Sequence, residues 1–462
     1  SYASPMMRPG SLRACARGFA TVYPPTMTPP AALGIAKPVV GQLNPPKRLL
    51  LGPGPGNAHP RVHQAMALPQ VGHMDAAFLK IMEDLKSLLR YVWQTDNAFT
   101  IPCSGTGSAA WEAAVANLTR EGDTHLVFVN GYFGERHCDM AARYGAKIAR
   151  VDKPWGEVFT LAEIEAACAA HKPDIVWFAH AETSTGACQP MVGISDIVRK
   201  HDALLMLDTV TSIGGVPLLL DEWGVDAAYA GGQKCLSCPP GIAPLTLGPR
   251  ALAKMEAREN AGDKTKNWYL DMNMIRRYLV VNDFGSPRVY HHTAPISMVY
   301  AFREALTVVA EEGLEASWAR HRDTAEYFWS ELDKIGLEPH VAHEHRLPSL
   351  TTVKIPPGVD GAKVVVYLRE NFDIEIAGGL GALAGKVWRI GRSERDWIKA
   401  PRSACPVIPY LIRYDGLQLQ ARKRSPLLRR AARGPRRPGL LREEVGRLQK
   451  RPVAGPRKTE ST

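Results

Sequence analysis

Between residues 99 and 247, short apolar runs alternate with stretches that repeat at helical spacing, and this constrains the fold more than any other feature. The apolar runs fall at 99–102, 125–129, 148–151, 175–179, 204–207, 227–230 and 243–247. Helical patterns at 108–118, 135–144, 161–171 and 194–201 lie among them. Strand–helix alternation of this kind builds a sheet of mainly parallel strands with helices on both faces. The expected fold class is therefore α/β, with a mainly parallel seven-stranded sheet. A helix over 74–93 precedes it, where Phe78, Ile81, Met82, Leu85, Leu88, Leu89 and Val92 recur every three or four residues. After the sheet, a long amphipathic pattern over 296–312 and 314–335 leads into strand 351–355, helix 361–371 and strand 387–390, a smaller α/β unit. A chain of 462 residues exceeds the roughly 250–300 at which single cores stop growing. We divide it into a leader (1–45), a large domain with an N-terminal arm (46–310), a small C-terminal domain (311–400) and a tail (401–462).

The net charge of +11 is a property of the tail. Residues 401–462 hold 16 Lys+Arg against 4 Asp+Glu, which leaves 41 basic and 42 acidic residues in the first 400. A neutral body offers no electrostatic footprint for nucleic acid, and the Arg-, Pro- and Ala-rich tail reads as solvated and disordered. From Ser1 to Met74 there is no acidic residue, while Arg8, Arg13 and Arg17 stand among small residues. That composition resembles an organellar transit peptide, mitochondrial ahead of chloroplast or peroxisomal. No apolar run approaches the roughly 20 residues needed to cross a bilayer, so no membrane span is expected. The eight cysteines are scattered, as in a reducing compartment.

Ligands of open α/β sheets bind beyond the carboxyl ends of the strands. The segments in that position are Ser104-Gly-Thr-Gly-Ser108, Asn130-Gly-Tyr-Phe-Gly134, His180-Ala-Glu-Thr183, Asp208 and Gly231-Gly-Gln-Lys234. Gly105 and Gly107 open a helix whose free N–H groups suit a phosphate. The same glycines also fit a dinucleotide fingerprint, which wants an acid about 20 residues on; the next strand ends in Asn130 instead. Asp208 closes an apolar strand, where a carboxylate needs a partner. Lys234 stands at the mouth of another strand, where desolvation makes an amine nucleophilic. An acid and a lysine beside a phosphate loop are what pyridoxal 5′-phosphate (PLP) requires.

These motifs, with Leu51-Gly-Pro-Gly-Pro-Gly56, Glu182-Thr-Ser-Thr-Gly186, Tyr290-His-His-Thr-Ala-Pro295 and Gly385-Lys-Val-Trp-Arg-Ile-Gly391, resemble the class V (fold type I) PLP-dependent aminotransferases. Within them the similarity is to the alanine–glyoxylate, serine–glyoxylate and serine–pyruvate group. The resemblance spans roughly residues 49–391. It implies that Lys234 carries the cofactor as a Schiff base and shuttles the substrate proton, and that Asp208 keeps the pyridine nitrogen protonated. Thr106, Gly107, Ser108 and Gln233 are then phosphate ligands and Thr183 a neighbour of the ring hydroxyl. Phe133 stands at the ring-stacking position where the family usually has tryptophan, and Ser108 where it often has histidine. Tyr290 and Thr293 are expected to reach the phosphate in the other subunit of a homodimer. Arg389 is expected to clamp the substrate carboxylate. Alanine (or serine) then gives its nitrogen to the cofactor, leaving pyruvate in the case of alanine, and glyoxylate takes it up as glycine. After Gly391 the small and apolar residues of the family's closing helix are replaced by Arg392-Ser-Glu-Arg-Asp396 and the tail.

Other readings are weaker. A cysteine desulfurase needs a reactive small-domain cysteine, and none lies between Cys238 and Cys405. An inactive scaffold acting through the tail is the alternative from another class. Cys235-Leu-Ser-Cys238 has zinc-ribbon spacing without a second pair, so no metal is expected. His291 and His292 are expected to point apart.

Overall fold

Most strands of the central sheet are apolar runs too short for a helix, and burial on both faces favours extended chain there; the edge strand Lys147–Asp152 is the partly exposed exception. In a computed structural model of the protein, residues 36–279 and 288–391 are described. Most of the leader, the departure at Arg392–Asp396 and the basic tail lie outside them. The chain enters through β1 (Leu49–Leu50) and the helices α1 (Pro60–Met66) and α2 (Ala76–Trp93). Asp75 ends the approach to α2 by accepting the Ala77 N–H, an N-cap that satisfies one of the helix's free donors. The alternating region follows as β2 (Phe99–Ser104), α3 (Gly107–Leu118), β3 (Thr124–Val129), α4 (Tyr132–Arg143), β4 (Lys147–Asp152), α5 (Leu161–His171), β5 (Ile175–Ala179), the hairpin β6 (Ala181–Glu182) and β7 (Ala187–Cys188), α6 (Ile194–Lys200), β8 (Leu204–Asp208), β9 (Ala227–Tyr229) and β10 (Ile242–Leu247). The large sheet has seven strands in the order β2-β10-β9-β8-β5-β3-β4. Within it β10 alone is antiparallel to its neighbours, and the parallel ends of β3, β5, β8 and β9 open on one edge.

Helices α7 (Pro249–Asn260) and α8 (Met272–Leu279) were not legible in the sequence. In α7 only Ala251, Met255 and Arg258 are buried, too sparse an apolar stripe to read. Two long helices, α9 (Ile296–Glu312) and α10 (Leu314–Lys334), then lead to β11 (Leu350–Lys354), α11 (Gly361–Phe372), β12 (Ile374–Glu375), β13 (Ala377–Gly378) and β14 (Val387–Gly391).

Two main apolar cores result. The larger lies on both faces of the sheet, around residues such as Phe128, Trp177 and Leu207. The smaller gathers Phe328, Trp329, Val353, Trp388 and Ile390, and it includes Leu51 from the N-terminal arm. β1 pairs in parallel with β12, and the Gly391 N–H reaches Leu51 O at 2.9 Å. Residues 49–51 are thus stitched into the small unit before the chain enters the large one. Among the described residues no helix is long and apolar enough to cross a membrane.

Candidate active site

Strand β8 is buried along its whole length and ends in Asp208. Oδ1 accepts the Val210 N–H at 2.8 Å and Oδ2 accepts the Tyr229 hydroxyl at 3.1 Å. Burial pushes the Asp208 carboxyl up to about 7, opposed by those hydrogen bonds and by Lys234 and reinforced by the nearby Glu182. Glu182, 1 % exposed, closes β6. It accepts from the Ser184 amide and hydroxyl and from the Phe133 N–H at 3.2 Å, and its carboxyl is also pushed up by burial. The acid therefore caps α4 from outside, and α4 begins at Tyr132, three residues before its expected start. Gly131 is required here, because a Cβ would stand 2.2 Å from Glu182 Cγ.

Beyond β9 the chain turns through Gly231 and Gly232 to Lys234. Its amine donates to the Pro53 carbonyl. A Cβ on Gly54, whose φ of +109° already demands glycine, would lie 2.6 Å from Lys234 Cδ. The arm thus seats the lysine side chain. Burial lowers the Lys234 amine to about 8, the Arg389 charge adds to this and Asp208 opposes it. A fraction of the amine is neutral at physiological pH, the nucleophilic form.

Arg389 sits in β14 between Thr352 and Ala377. It donates to Gly378 O at 2.8 Å and to Thr183 O at 3.3 Å. Burial lowers it to about 10 and Glu182 opposes the shift. Thr183 Oγ1 is hydrogen-bonded to Thr211 Oγ1. Lys234, Asp208, Glu182, Arg389 and Thr183 therefore form one buried, electrostatically connected group.

The loop expected to take a phosphate, Ser104–Ser108, stands beside it. Thr106 is the N-cap of α3 but spends no side-chain hydrogen bond on the helix, and both Thr106 and Ser108 are exposed. Gly107 lies against Gly231 and Val210, with 3.7 Å between an added Cβ and the Gly231 Cα. Gln233 Oε1 is buried without a hydrogen-bond partner beside Gly231, and turning the amide over puts an N–H donor in the same place. Phe133, in the first turn of α4, has its ring 6.5 Å from Trp111 and 5.2 Å from the Arg136 guanidinium. Tyr290 and Thr293 are not brought into the charged group: both are exposed, and the Tyr290 ring packs beside His73 and Tyr278. His291 and His292 do not point apart. Their Nδ1 atoms are 2.8 Å from each other and His292 Nε2 is 2.8 Å from Ser104 Oγ, because residues 288–295 are neither helix nor strand. Sequence reasoning assigned no role to Glu182, Tyr229 or Pro53. Tyr229 lies directly across from Asp208 in the β8–β9 register, a relation visible only once the strands are paired.

The sequence profile of the aminotransferase class-V family matches residues 59–389. The chain belongs to that family. A marmoset (Callithrix jacchus) alanine–glyoxylate aminotransferase is 42% identical over 366 residues, covering 79% of this chain and 86% of the relative. The (S)-ureidoglycine–glyoxylate transaminase of Bacillus subtilis is 37% identical over 362 residues, covering 75% and 86%. The crystal structure of an alanine–glyoxylate aminotransferase from Nostoc sp. superposes with a TM-score of 0.76 at 52% identity, covering 81% of this chain and 96% of that one.

The cofactor of this class-V aminotransferase is PLP, and the residues present fit it. The open N-terminus of α3, with Gln233 Oε1 lacking a partner among the described residues, suits the phosphate. The lysine with a lowered pKa suits the aldehyde and the buried acid suits the ring nitrogen.

Proposed function

We propose that this aminotransferase moves an amino group from alanine, or serine, to glyoxylate, releasing glycine. The observation that carries the reading is the buried quartet of Lys234, Asp208, Glu182 and Arg389, two cations and two acids within mutual electrostatic reach. Relatives with different donors in their names, alanine and (S)-ureidoglycine, share glyoxylate as the acceptor, which supports glyoxylate here.

PLP supplies an electron sink for the carbanion at the substrate Cα. Lys234 would take the proton from the substrate Cα and deliver it to C4′ of the cofactor, a task suited to an amine lowered to about 8. Arg389, fixed by two backbone carbonyls, has further N–H groups to hold the carboxylate common to donor and acceptor. Asp208, as a carboxylate, would pair with the ring nitrogen and keep it protonated, Phe133 would cover the ring, and Thr106, Gly107, Ser108 and Gln233 would hold the phosphate.

Incubating the purified protein with alanine or serine plus glyoxylate, and measuring glycine with the matching oxo acid, tests the reading. PLP-coloured protein that makes no glycine from either donor overturns it. Colourless protein that binds no PLP favours the scaffold reading. Two finer features belong to the same proposal. A homodimer in which Tyr290 and Thr293 serve the partner's phosphate is supported by the exposure of both, on a segment whose His291 and His292 pack against the exposed Trp268 and Tyr269; light scattering of the purified protein tests it. A mitochondrial address is supported by the acid-free, Arg-containing leader, and imaging a fluorescent fusion of residues 1–45 tests it.

A further inference from the structure

Behind Asp208 lies a column of buried rings that the reaction as described does not use. Trp111 is stacked on Tyr229, centroids 5.5 Å apart and planes 13° from parallel, and on Trp177 at 5.9 Å and 8°. Trp177 and Tyr229 are fully buried. The Trp177 indole N–H donates to the Tyr229 hydroxyl at 3.0 Å, and that hydroxyl is 3.1 Å from Asp208 Oδ2. The Trp111 indole is committed elsewhere, to His137 Nδ1 at 2.9 Å.

The donor inventory fixes the direction of this chain. An indole N–H can only donate, and a phenol has a single hydrogen. With its oxygen accepting from Trp177, Tyr229 has its own proton left for Asp208 Oδ2. Were Asp208 protonated on Oδ2, that oxygen would be a neutral and weaker acceptor for the Tyr229 proton, so the hydrogen bond favours the ionised form. The other oxygen accepts the Val210 N–H. Both oxygens of Asp208 therefore receive hydrogen bonds that favour the carboxylate, against the burial and the Glu182 charge that disfavour it.

We propose that Tyr229, its hydroxyl oriented by Trp177, is a positioning residue that keeps Asp208 a carboxylate and aims it at the ring nitrogen of the cofactor. The stacking holds the phenol in one place, so the donor needs no reorganisation when the cofactor enters. This inference rests on the reading that Asp208 meets the ring nitrogen, and its test separates the two.

The variants are Tyr229→Phe, which keeps the ring and removes one oxygen, Trp177→Phe, which removes the N–H that orients it, and Asp208→Asn. The enzyme is loaded with PLP labelled with 15N in the ring, and the ring-nitrogen NMR shift reports whether that nitrogen carries the proton. The wild type is expected at the protonated value. Tyr229→Phe is expected to move toward the unprotonated value and to bind PLP about tenfold more weakly; Trp177→Phe is expected to move the same way by less. A wild-type shift in Asp208→Asn overturns the underlying reading. A displaced shift in Asp208→Asn with a wild-type shift in Tyr229→Phe overturns the proposal alone. If Tyr229→Phe does not fold, Trp177→Phe carries the test, and an undisplaced shift there overturns the proposal.

Discussion

Replacing Lys234 by alanine removes the amine that the arm seats against Pro53. Such a protein is expected to lose the visible absorption band that borohydride abolishes in the wild type, together with transaminase activity. Arg389 offers a graded test. Losing one partner of a buried, hydrogen-bonded charge pair costs about 2–5 kcal/mol, so Arg389→Ala is expected to raise the KM for glyoxylate by roughly a hundredfold in steady-state assays. Arg389→Lys, which keeps the charge but not the two-pronged geometry, is expected to fall between. Lys234 and Asp208 were legible because strand ends and residue chemistry together single them out. Glu182 was legible only as part of a motif, since its role depends on α4, whose N–H groups it caps from across the sheet edge. Tyr229 looked like one more apolar residue of a buried strand.

At the scale of single elements, the start of α4 depends on the space that Gly131 leaves for Glu182. Gly131→Ala puts a methyl group 2.2 Å from the Glu182 Cγ, and overpacking of this kind costs about 1–3 kcal/mol. We expect a lowered melting temperature together with a weakened PLP affinity, because Phe133 moves with the helix; calorimetry and a PLP titration measure the two separately. The strands and long helices were readable from periodicity because burial imposes it directly. Helix α1, which holds only Val62 and Ala65 buried, and helix α7 left too faint an apolar stripe. The contact between His291 and His292 was misjudged because alternation along the chain holds only where the backbone is regular.

For the whole molecule, the buried acid and amine make stability depend on pH. The Asp208 carboxyl is raised to about 7, so between about pH 4 and 7 the folded chain holds a proton that the unfolded chain has released. Stability from this group therefore falls as pH rises through that window. The Lys234 amine is lowered from 10.5 to about 8, so between about pH 8 and 10.5 the folded chain has lost a proton that the unfolded chain keeps, and stability rises with pH there. Both burial costs are fully present between pH 7 and 8. The cofactor-free protein is expected to show a shallow minimum in melting temperature in that interval, and the double variant Asp208→Asn with Lys234→Met is expected to lack it. Identical calorimetric pH profiles for the two proteins would remove the basis for this assignment.

The pairing of β1 with β12 has a consequence for the order of events at the ribosome. Leu49 emerges 325 positions ahead of its partner Ile374. At roughly 5–20 residues per second, the arm waits on the order of 15–60 s for the strand it joins. Throughout that delay the arm has neither its β12 partner nor the Gly391 N–H that Leu51 accepts, so the segment that seats Lys234 is fastened at both of these points only late in synthesis. Translation itself thus withholds a finished catalytic centre until nearly the whole described chain has been made.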